Sequence, residues 1–308
     1  MRRREFIRKG LGAGIMAGSA IKLLPGTGLS ARTGTPENYD MVAVLGGNPG
    51  EMFDRAILSL GGMKNFVRPN QVVVVKPNIG WDSTPERAAC TNPELVGRII
   101  EHCFDAGARE VYVFDNSINE WSRCYQNSGI EKAARNAGAK VVAGNSESNY
   151  QAVEIKSGRQ LKRVKVHELI LGSDVLINVP VLKTHGGAII TASMKNLMGI
   201  VWDRRYWHEN DLHQCIADMC TEIKPDLNVV DAYRVIVRNG PRGVSVEDVS
   251  TMKYQIVSKD IVACDAAAAK LINKDPERIG HIRLGNEMGV GRSDLNSLSI
   301  NRIKISPA

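Results

Sequence analysis

Short apolar runs alternate with amphipathic stretches of helical length along most of the chain. Val72-Val73-Val74-Val75 and Val175-Leu176-Ile177 are apolar without alternation, which is typical of strands covered on both faces. Strand, helix and strand in succession predict an α/β fold with a mostly parallel sheet and helices on both faces. The predicted strands are Tyr39–Leu45, Gln71–Val75, Glu110–Phe114, Lys140–Ala143, Asp174–Val179, Leu227–Val230 and Tyr254–Ser258.

The amphipathic stretches carry signals for helix starts and ends. Thr91-Asn92-Pro93-Glu94 supplies a cap followed by proline in the first turn. Gly107 follows the end of the same stretch, and Gly138 follows the end of the next one. The predicted helices are Glu51–Leu60, Pro93–Ala106, Ile130–Ala137, Ile189–Val201, Leu212–Ile223, Ile261–Ile272 and Pro276–Glu287.

The N-terminal segment has the pattern of an export signal. Arg2-Arg3-Arg4-Glu5-Phe6-Ile7 precedes an uncharged run rich in Gly, Ala and Ser, and Arg3-Arg4 resemble the pair of the twin-arginine consensus. The run is too short and too rich in glycine to span a membrane. We therefore expect a twin-arginine signal segment at 1–31, a linker at 32–38 and a single α/β domain at 39–308. The implied partner is the twin-arginine translocase, and the implied location is periplasmic or otherwise extracytoplasmic.

Charge and cysteine usage exclude two classes of protein. Residues 1–31 hold six basic residues and one acidic residue, so the formal net charge of +7 falls to +2 without them. A nearly neutral body gives no reason to expect nucleic-acid binding, which needs clustered positive charge. The six cysteines contain no Cys-x-x-Cys pair, which disfavours a ferredoxin-type cluster or a zinc ribbon.

Polar side chains follow five of the predicted strands. In open α/β sheets, ligands bind beyond the carboxyl ends of the strands, so these residues predict a shared cleft. They are Lys76 and Asn78, Asp115 and Asn116, Asn178 with Lys183 and His185 beyond it, Asp231, and Lys259 and Asp260 followed by Asp265.

The densest group of these residues is Lys183-Thr184-His185-Gly186-Gly187, ahead of the predicted helix Ile189–Val201. Two glycines allow a close backbone approach, and a helix start with free N–H groups suits a phosphate or a carboxylate. In that helix Thr191 and Lys195 would share a face, with Asn196 adjacent. The alternative stays open that Lys183 is a solvated loop residue and that Lys195 and Asn196 form a polar helix face.

A second group of residues predicts a metal site. His208, Asp211 and Cys215 fall at helical spacings of three and four, so one helix would bring imidazole, carboxylate and thiolate to one face. The alternative is a polar lid, with Trp202, Tyr206 and Trp207 as its apolar contacts.

The order of these motifs resembles the domain of unknown function 362 family. The resemblance runs from about Val72 to Gly291, and its most specific part joins Lys183-Thr184-His185 to Lys195-Asn196-Leu197-Met198-Gly199. Some members carry ferredoxin-like cysteine clusters, which this sequence lacks. The resemblance implies that the family uses these positions: Lys76, Asn78, Lys183, His185, Lys195, Asn196, Asp231 and Asp265.

Three hypotheses of function follow. The first is an exported enzyme for a small anionic substrate, with catalytic Lys183, His185, Lys195 and Asp231 and substrate-binding Lys76, Asn78, Asn196 and Asp265. Amines clustered with carboxylates can yield a basic or nucleophilic lysine, which leaves Schiff-base chemistry open. The second is a cofactor or metal carrier of an iron–sulfur or redox system, and the third is a binding protein without catalysis. The sequence specifies neither substrate nor cofactor.

Overall fold

The computed structural model of the protein describes residues 39–306. The predicted signal segment and linker, at 1–31 and 32–38, lie outside the described residues. Twelve strands are present in the described part of the chain: β1 (Met41–Leu45), β2 (Val72–Pro77), β3 (Glu110–Val113), β4 (Lys140–Val141), β5 (Tyr150–Glu154), β6 (Arg163–His167), β7 (Val175–Val179), β8 (Val181–His185), β9 (Ile189–Thr191), β10 (Leu227–Ile236), β11 (Val249–Ser258) and β12 (Ile300–Lys304).

Ten of these strands form one sheet. Its main order is β12-β1-β11-β10-β7-β2-β3-β4, with β8 paired to β10 and β9 paired to β8. The run from β10 through β7, β2 and β3 to β4 is parallel throughout, and β11 is antiparallel to both β10 and β1. The predicted α/β fold with a mostly parallel sheet is confirmed. Strands β5 and β6 form a separate antiparallel pair.

Helices cover both faces of the large sheet. On one face Val73 and Val75 pack with Leu95 and Ile130, whereas Val74, between the two valines, faces the other core. This alternation is the period of two expected of a strand between two layers. The helices of the described chain are α1 (Pro49–Ser59), α2 (Pro93–Asp105), α3 (Trp121–Asn127), α4 (Ile130–Asn136), α5 (Glu168–Gly172), α6 (Ser193–Asn196), α7 (Arg205–Glu209), α8 (Leu212–Glu222), α9 (Ile261–Leu271) and α10 (Gly280–Glu287).

The predicted helix Ile189–Val201 is wrong. The structure has a strand, β9, at Ile189–Thr191. It pairs antiparallel with β8, which contains Lys183-Thr184-His185. The helix begins only at Ser193, where the buried carboxylate of Asp265 accepts the backbone N–H groups of Ser193 and Met194. The β-branched residues of β9 favour an extended chain, which a helical pattern of apolar positions does not reveal.

No helix within residues 39–306 is both long enough and apolar enough to cross a membrane.

Candidate functional site

A cavity of about 350 Å³ opens beyond the carboxyl ends of β2 and β3 and beside the β8–β9 hairpin. This is the edge of a parallel sheet where ligands bind. The lining residues come from distant parts of the sequence. They are Lys76, Asn78, Gly80, Trp81, Asp115, Asn116, Ile118, Lys183, His185, Thr191, Lys195, Asn196, Met198, Gly199, Arg204, Arg205, His208 and Pro241.

An ion pair lies in the wall of the cavity. Lys76 Nζ is 2.9 Å from Asp115 Oδ1, and both side chains are almost fully buried. Lys76 also donates to Asn196 Oδ1 at 2.9 Å, and Asp115 Oδ2 accepts the Ile79 N–H at 2.6 Å. Burial lowers the pKa of Lys76, and the charge of Asp115 opposes that shift. The sequence analysis placed Asp115 after a predicted strand without assigning it a role. In the structure its carboxylate is the counter-charge of Lys76.

Amide side chains connect the lysines. Lys183 Nζ donates to Asn78 Oδ1 at 3.0 Å and to the Ala89 carbonyl at 2.7 Å. Asn78 Nδ2 donates in turn to Asn196 Oδ1 at 3.1 Å. The structure therefore brings together Lys76, Asn78 and Lys183, which the sequence analysis placed near strand ends, and Asn196, which it placed in a predicted helix.

The β8–β9 hairpin carries three polar side chains to the cavity. Lys183 lies directly opposite Thr191 in the strand register, and His185 lies two residues after Lys183. These side chains share one face of the hairpin because alternate residues of a strand point the same way. The Thr191 hydroxyl is buried and has no hydrogen-bond partner within the described chain.

His185 is held as a neutral imidazole. Its Nδ1 accepts the backbone N–H groups of Gly187 and Ala188, each at 3.1 Å, so the ring proton is on Nε2. Burial lowers the pKa of His185 to about 3, and Lys195 adds to that shift. The ring lies parallel to that of His208 at a centroid distance of 6.3 Å. In this tautomer His185 presents an Nε2–H hydrogen-bond donor.

Lys195 occupies the short helix α6 and is only 8% exposed. Its Nζ finds one hydrogen-bond partner in the described chain, Met198 Sδ at 3.4 Å. Burial, followed by the charges of Lys183 and Arg204, lowers the pKa of Lys195 to about 7. A large fraction of its amino groups is thus uncharged at neutral pH.

Arg204 adds a further cation to the cavity. Its guanidinium donates to the Asn116 and Ser117 carbonyls, at 2.5 Å and 2.9 Å, which fixes its position beyond β3. An arginine in a polar turn is commonly solvated, so sequence patterns alone point only weakly to Arg204 as a site residue.

Two predicted site carboxylates lie outside the cavity lining. Asp231 accepts the N–H groups of Asn92 and Tyr233 at 2.8 Å and 3.0 Å, and burial raises the pKa of Asp231 to about 6. Asp265 accepts the Ser193 and Met194 N–H groups at 2.5 Å and 3.1 Å. Asp231 thus holds the start of α2, and Asp265 holds the start of α6.

The predicted metal site does not form. Among residues 39–306, no three His, Cys, Asp or Glu side chains are grouped to hold a metal ion. His208 lies on α7, which ends before Asn210, whereas Asp211 caps the next helix by accepting the Gln214 N–H at 3.0 Å. Cys215 is fully buried in α8. The break at Asn210 separates His208 from Asp211, so their spacing of three residues does not bring them to one face of a single helix.

The fold and the cavity define an α/β protein with a cavity lined by cationic side chains beyond its parallel strands. Residues 73–270 match the family described as "Domain of unknown function (DUF362)", and the chain belongs to that family. A similar curated protein is the "Thylakoid-associated protein sll1697" of Synechocystis, 24% identical over 245 residues, 75% of this chain and 72% of that protein.

Two solved structures are also similar. The lactate racemase apoprotein from Thermoanaerobacterium thermosaccharolyticum has a TM-score of 0.45 at 10% identity, covering 63% of this chain and 50% of that one. A structural-genomics protein from Thermotoga maritima has a TM-score of 0.41 at 12% identity, covering 74% and 60%. The chain thus spans only about half to three fifths of these two proteins.

Proposed function

We propose that the protein is an enzyme acting on a small anionic substrate bound in this cavity. The observation that carries the proposal is the charge of the lining: three lysines and two arginines stand against a single carboxylate, Asp115. Because Asp115 is paired with Lys76 at 2.9 Å, the remaining cations lack a carboxylate within the lining. Desolvated cations attract a carboxylate or a phosphate far more strongly than solvated ones.

The lining residues divide into three roles in this proposal. Lys183 and Arg204 attract the anion, and His185 Nε2–H and the Thr191 hydroxyl donate hydrogen bonds to its oxygens. Lys195 is the reactive group, because it combines an uncharged fraction with a lack of polar protein partners.

Five further residues position that machinery. The hydrogen bonds that link Lys76, Asn196 and Asn78 hold Lys183 in place beside the substrate in this proposal. Asp265 acts through the start of α6, which carries Lys195, and Asp231 acts through the start of α2. The carboxylates predicted from the sequence to serve the reaction therefore support its framework.

Isothermal titration calorimetry with phosphate, sulfate and small carboxylates tests the anion site. We expect one saturable site in the wild type, with affinity at least about tenfold weaker in Lys183→Met and in Lys195→Met, which is about 1.4 kcal/mol. Lys132→Met, which removes an exposed helical lysine, is the matched control. The proposal fails if none of these anions binds, or if the control weakens binding as much as the cavity variants.

We also propose that the protein works outside the cytoplasm. The arginine pair Arg3-Arg4 and the uncharged run after it support export in the folded state, and the Synechocystis relative is named for association with thylakoids. Cell fractionation should find the wild type outside the cytoplasm and the double variant Arg3→Lys/Arg4→Lys inside it. Equal distribution of the two proteins would contradict export by this route.

A further inference from the structure

The three lysines that line the cavity differ in what their amino groups contact. Lys76 is bound by Asp115 and Asn196, and Lys183 is bound by Asn78 and the Ala89 carbonyl. Lys195 has only a thioether sulfur, Met198 Sδ, as a partner within the described residues. At 8% exposure, it cannot satisfy its amino group from bulk water as a surface lysine does. Lys195 is therefore the amine left available to a ligand.

The surroundings of Lys195 favour the uncharged amine. Burial and, after it, the charges of Lys183, Arg204 and Lys76 together lower the pKa of Lys195 to about 7. A desolvated lysine beside other cations is a typical way of obtaining a nucleophilic amine near neutral pH. The lowered pKa of Lys195 results from burial and from the group of cations around it. The one carboxylate of the cavity lining, Asp115, is paired with Lys76 and does not offset their charge at Lys195.

Two uncharged donors line the same cavity. His185 has its proton on Nε2, since Nδ1 accepts from Gly187 and Ala188, and the Thr191 hydroxyl has no partner among residues 39–306. A carbonyl oxygen bound by such donors is polarised, which exposes its carbon to attack. Uncharged donors also leave the charge balance around Lys195 unaltered.

We infer that Lys195 forms an imine with a small oxo acid, a carbonyl compound that carries one carboxylate. This inference rests on the proposed anion site and specifies its substrate class. The Lys195 nitrogen bonds to the carbonyl carbon, its two hydrogens pass to the carbonyl oxygen, and that oxygen leaves as water. The product is a carbon–nitrogen double bond, and the step needs no oxidant, reductant or other co-reactant.

The charge count favours one carboxylate on the substrate. Arg205 is exposed and paired with Glu209, so with Lys195 uncharged the remaining cations of the lining are Lys76, Lys183 and Arg204, against the one carboxylate of Asp115. A single substrate carboxylate leaves a positive excess, so it does not drive Lys195 back to the ammonium form. A substrate with more carboxylates would cancel that excess and protonate the nucleophile.

Reductive trapping tests the inference on the full protein. The wild type is incubated with glyoxylate or pyruvate and sodium borohydride, and the modified lysine is located by peptide mass spectrometry. We expect one carboxymethyl group from glyoxylate, or one carboxyethyl group from pyruvate, on Lys195. Lys195→Arg keeps the positive charge but cannot form an imine, so it should carry no adduct. Lys132→Arg, at an exposed lysine of α4 outside the cavity, is the matched control and should still be modified at Lys195.

Binding measured without borohydride separates the two proposals. If glyoxylate or pyruvate binds saturably but no adduct is trapped, or the adduct is on Lys183 or on surface lysines, the imine is overturned and the anion site stands. If neither oxo acid nor phosphate nor sulfate binds, the anion site and the imine are both overturned. Circular dichroism of each variant confirms that a missing adduct reflects chemistry rather than unfolding.

Discussion

Lys76 Nζ lies 2.9 Å from Asp115 Oδ1 at the point where the neighbouring strands β2 and β3 end, and both side chains are buried. The pair joins two strands across one wall of the cavity. It also uses the single carboxylate of the lining, so the positive charges of Lys183 and Arg204 and the amine of Lys195 stay available to a ligand.

The Lys76–Asp115 pair should contribute strongly to stability. Asp115→Asn leaves the Lys76 ammonium buried without its counter-charge, so we expect the free energy of unfolding to fall by about 3 kcal/mol in urea denaturation. Glu110→Gln is the control, since it breaks the Lys140–Glu110 pair, whose side chains are 57% and 31% exposed, and it should cost far less because water screens exposed charges. Equal losses in the two variants would contradict a buried, stabilising pair.

Gly199 is needed for the close packing around this pair. A Cβ atom there would overlap Asp115 Oδ1 and lie 2.6 Å from Lys76 Nζ. We expect Gly199→Ala to lower the free energy of unfolding by about 1–3 kcal/mol and to weaken anion binding. Gly172→Ala, where nothing lies within 4 Å of the new methyl group, should change neither quantity measurably. Normal anion affinity in Gly199→Ala would show that the pair does not shape the site.

Strand ends were the part of the site that the sequence could reveal. The apolar runs of β2, β3 and β7 predicted buried parallel strands, and the residues after β2 and β3 do line the cavity. The sequence could not show that Ile189–Thr191 pair with β8, because that pairing depends on contacts between strands rather than on local periodicity. The shared-face prediction for Thr191 and Lys195 assumed a helix, yet both reach the cavity, one from a strand and one from α6.

Carboxylates were harder to interpret. The sequence analysis expected Asp231 and Asp265 beyond strand ends, where catalytic acids commonly lie. Asp231 instead accepts the N–H groups of the distant Asn92 and the nearby Tyr233, and Asp265 accepts those of the distant Ser193 and Met194. Nothing in the sequence distinguishes a carboxylate that caps a remote helix from one that faces a ligand, since the difference lies in tertiary contacts. The metal prediction failed for a related reason, because α7 and α8 are separate helices.

Asp231 should give the protein a characteristic pH dependence of stability. Its pKa is raised by burial to about 6, above the unfolded value of about 3.9, so the folded state binds the proton more tightly. The stabilisation is present below about pH 4 and is lost as the pH rises through about 6, on the order of 3 kcal/mol in total. The difference in free energy of unfolding between wild type and Asp231→Asn, measured from pH 4 to 7, should follow that course.

Asp40→Asn is the control, because the pH dependence of its effect on stability has the opposite sign. The hydrogen bond from Arg292 lowers the pKa of Asp40, so the stabilisation that the Asp40 carboxylate provides is lost as the pH falls. A wild-type to Asp231→Asn difference that is flat, or that grows with pH, would contradict the raised pKa of Asp231.

His185 should remain a neutral Nε2–H imidazole through the physiological range. Because Nδ1 accepts two backbone N–H groups and the pKa of His185 is lowered to about 3, long-range ¹H–¹⁵N NMR should show one tautomer and no titration between about pH 5 and 8. His185→Gln identifies the signal by its loss. A midpoint near the ordinary histidine pKa of about 6.5 would show a solvated, chargeable ring instead.

The most direct measurement of the anion site is a crystal structure of the protein soaked in selenate, with the anion located by the anomalous signal of selenium. We expect the strongest anomalous peak in the cavity, within hydrogen-bond distance of Lys183, Lys195 or Arg204, and its loss in Lys195→Met. Ordered selenate on the protein surface with an empty cavity at the same concentration would contradict the claim that this cavity binds a small anion.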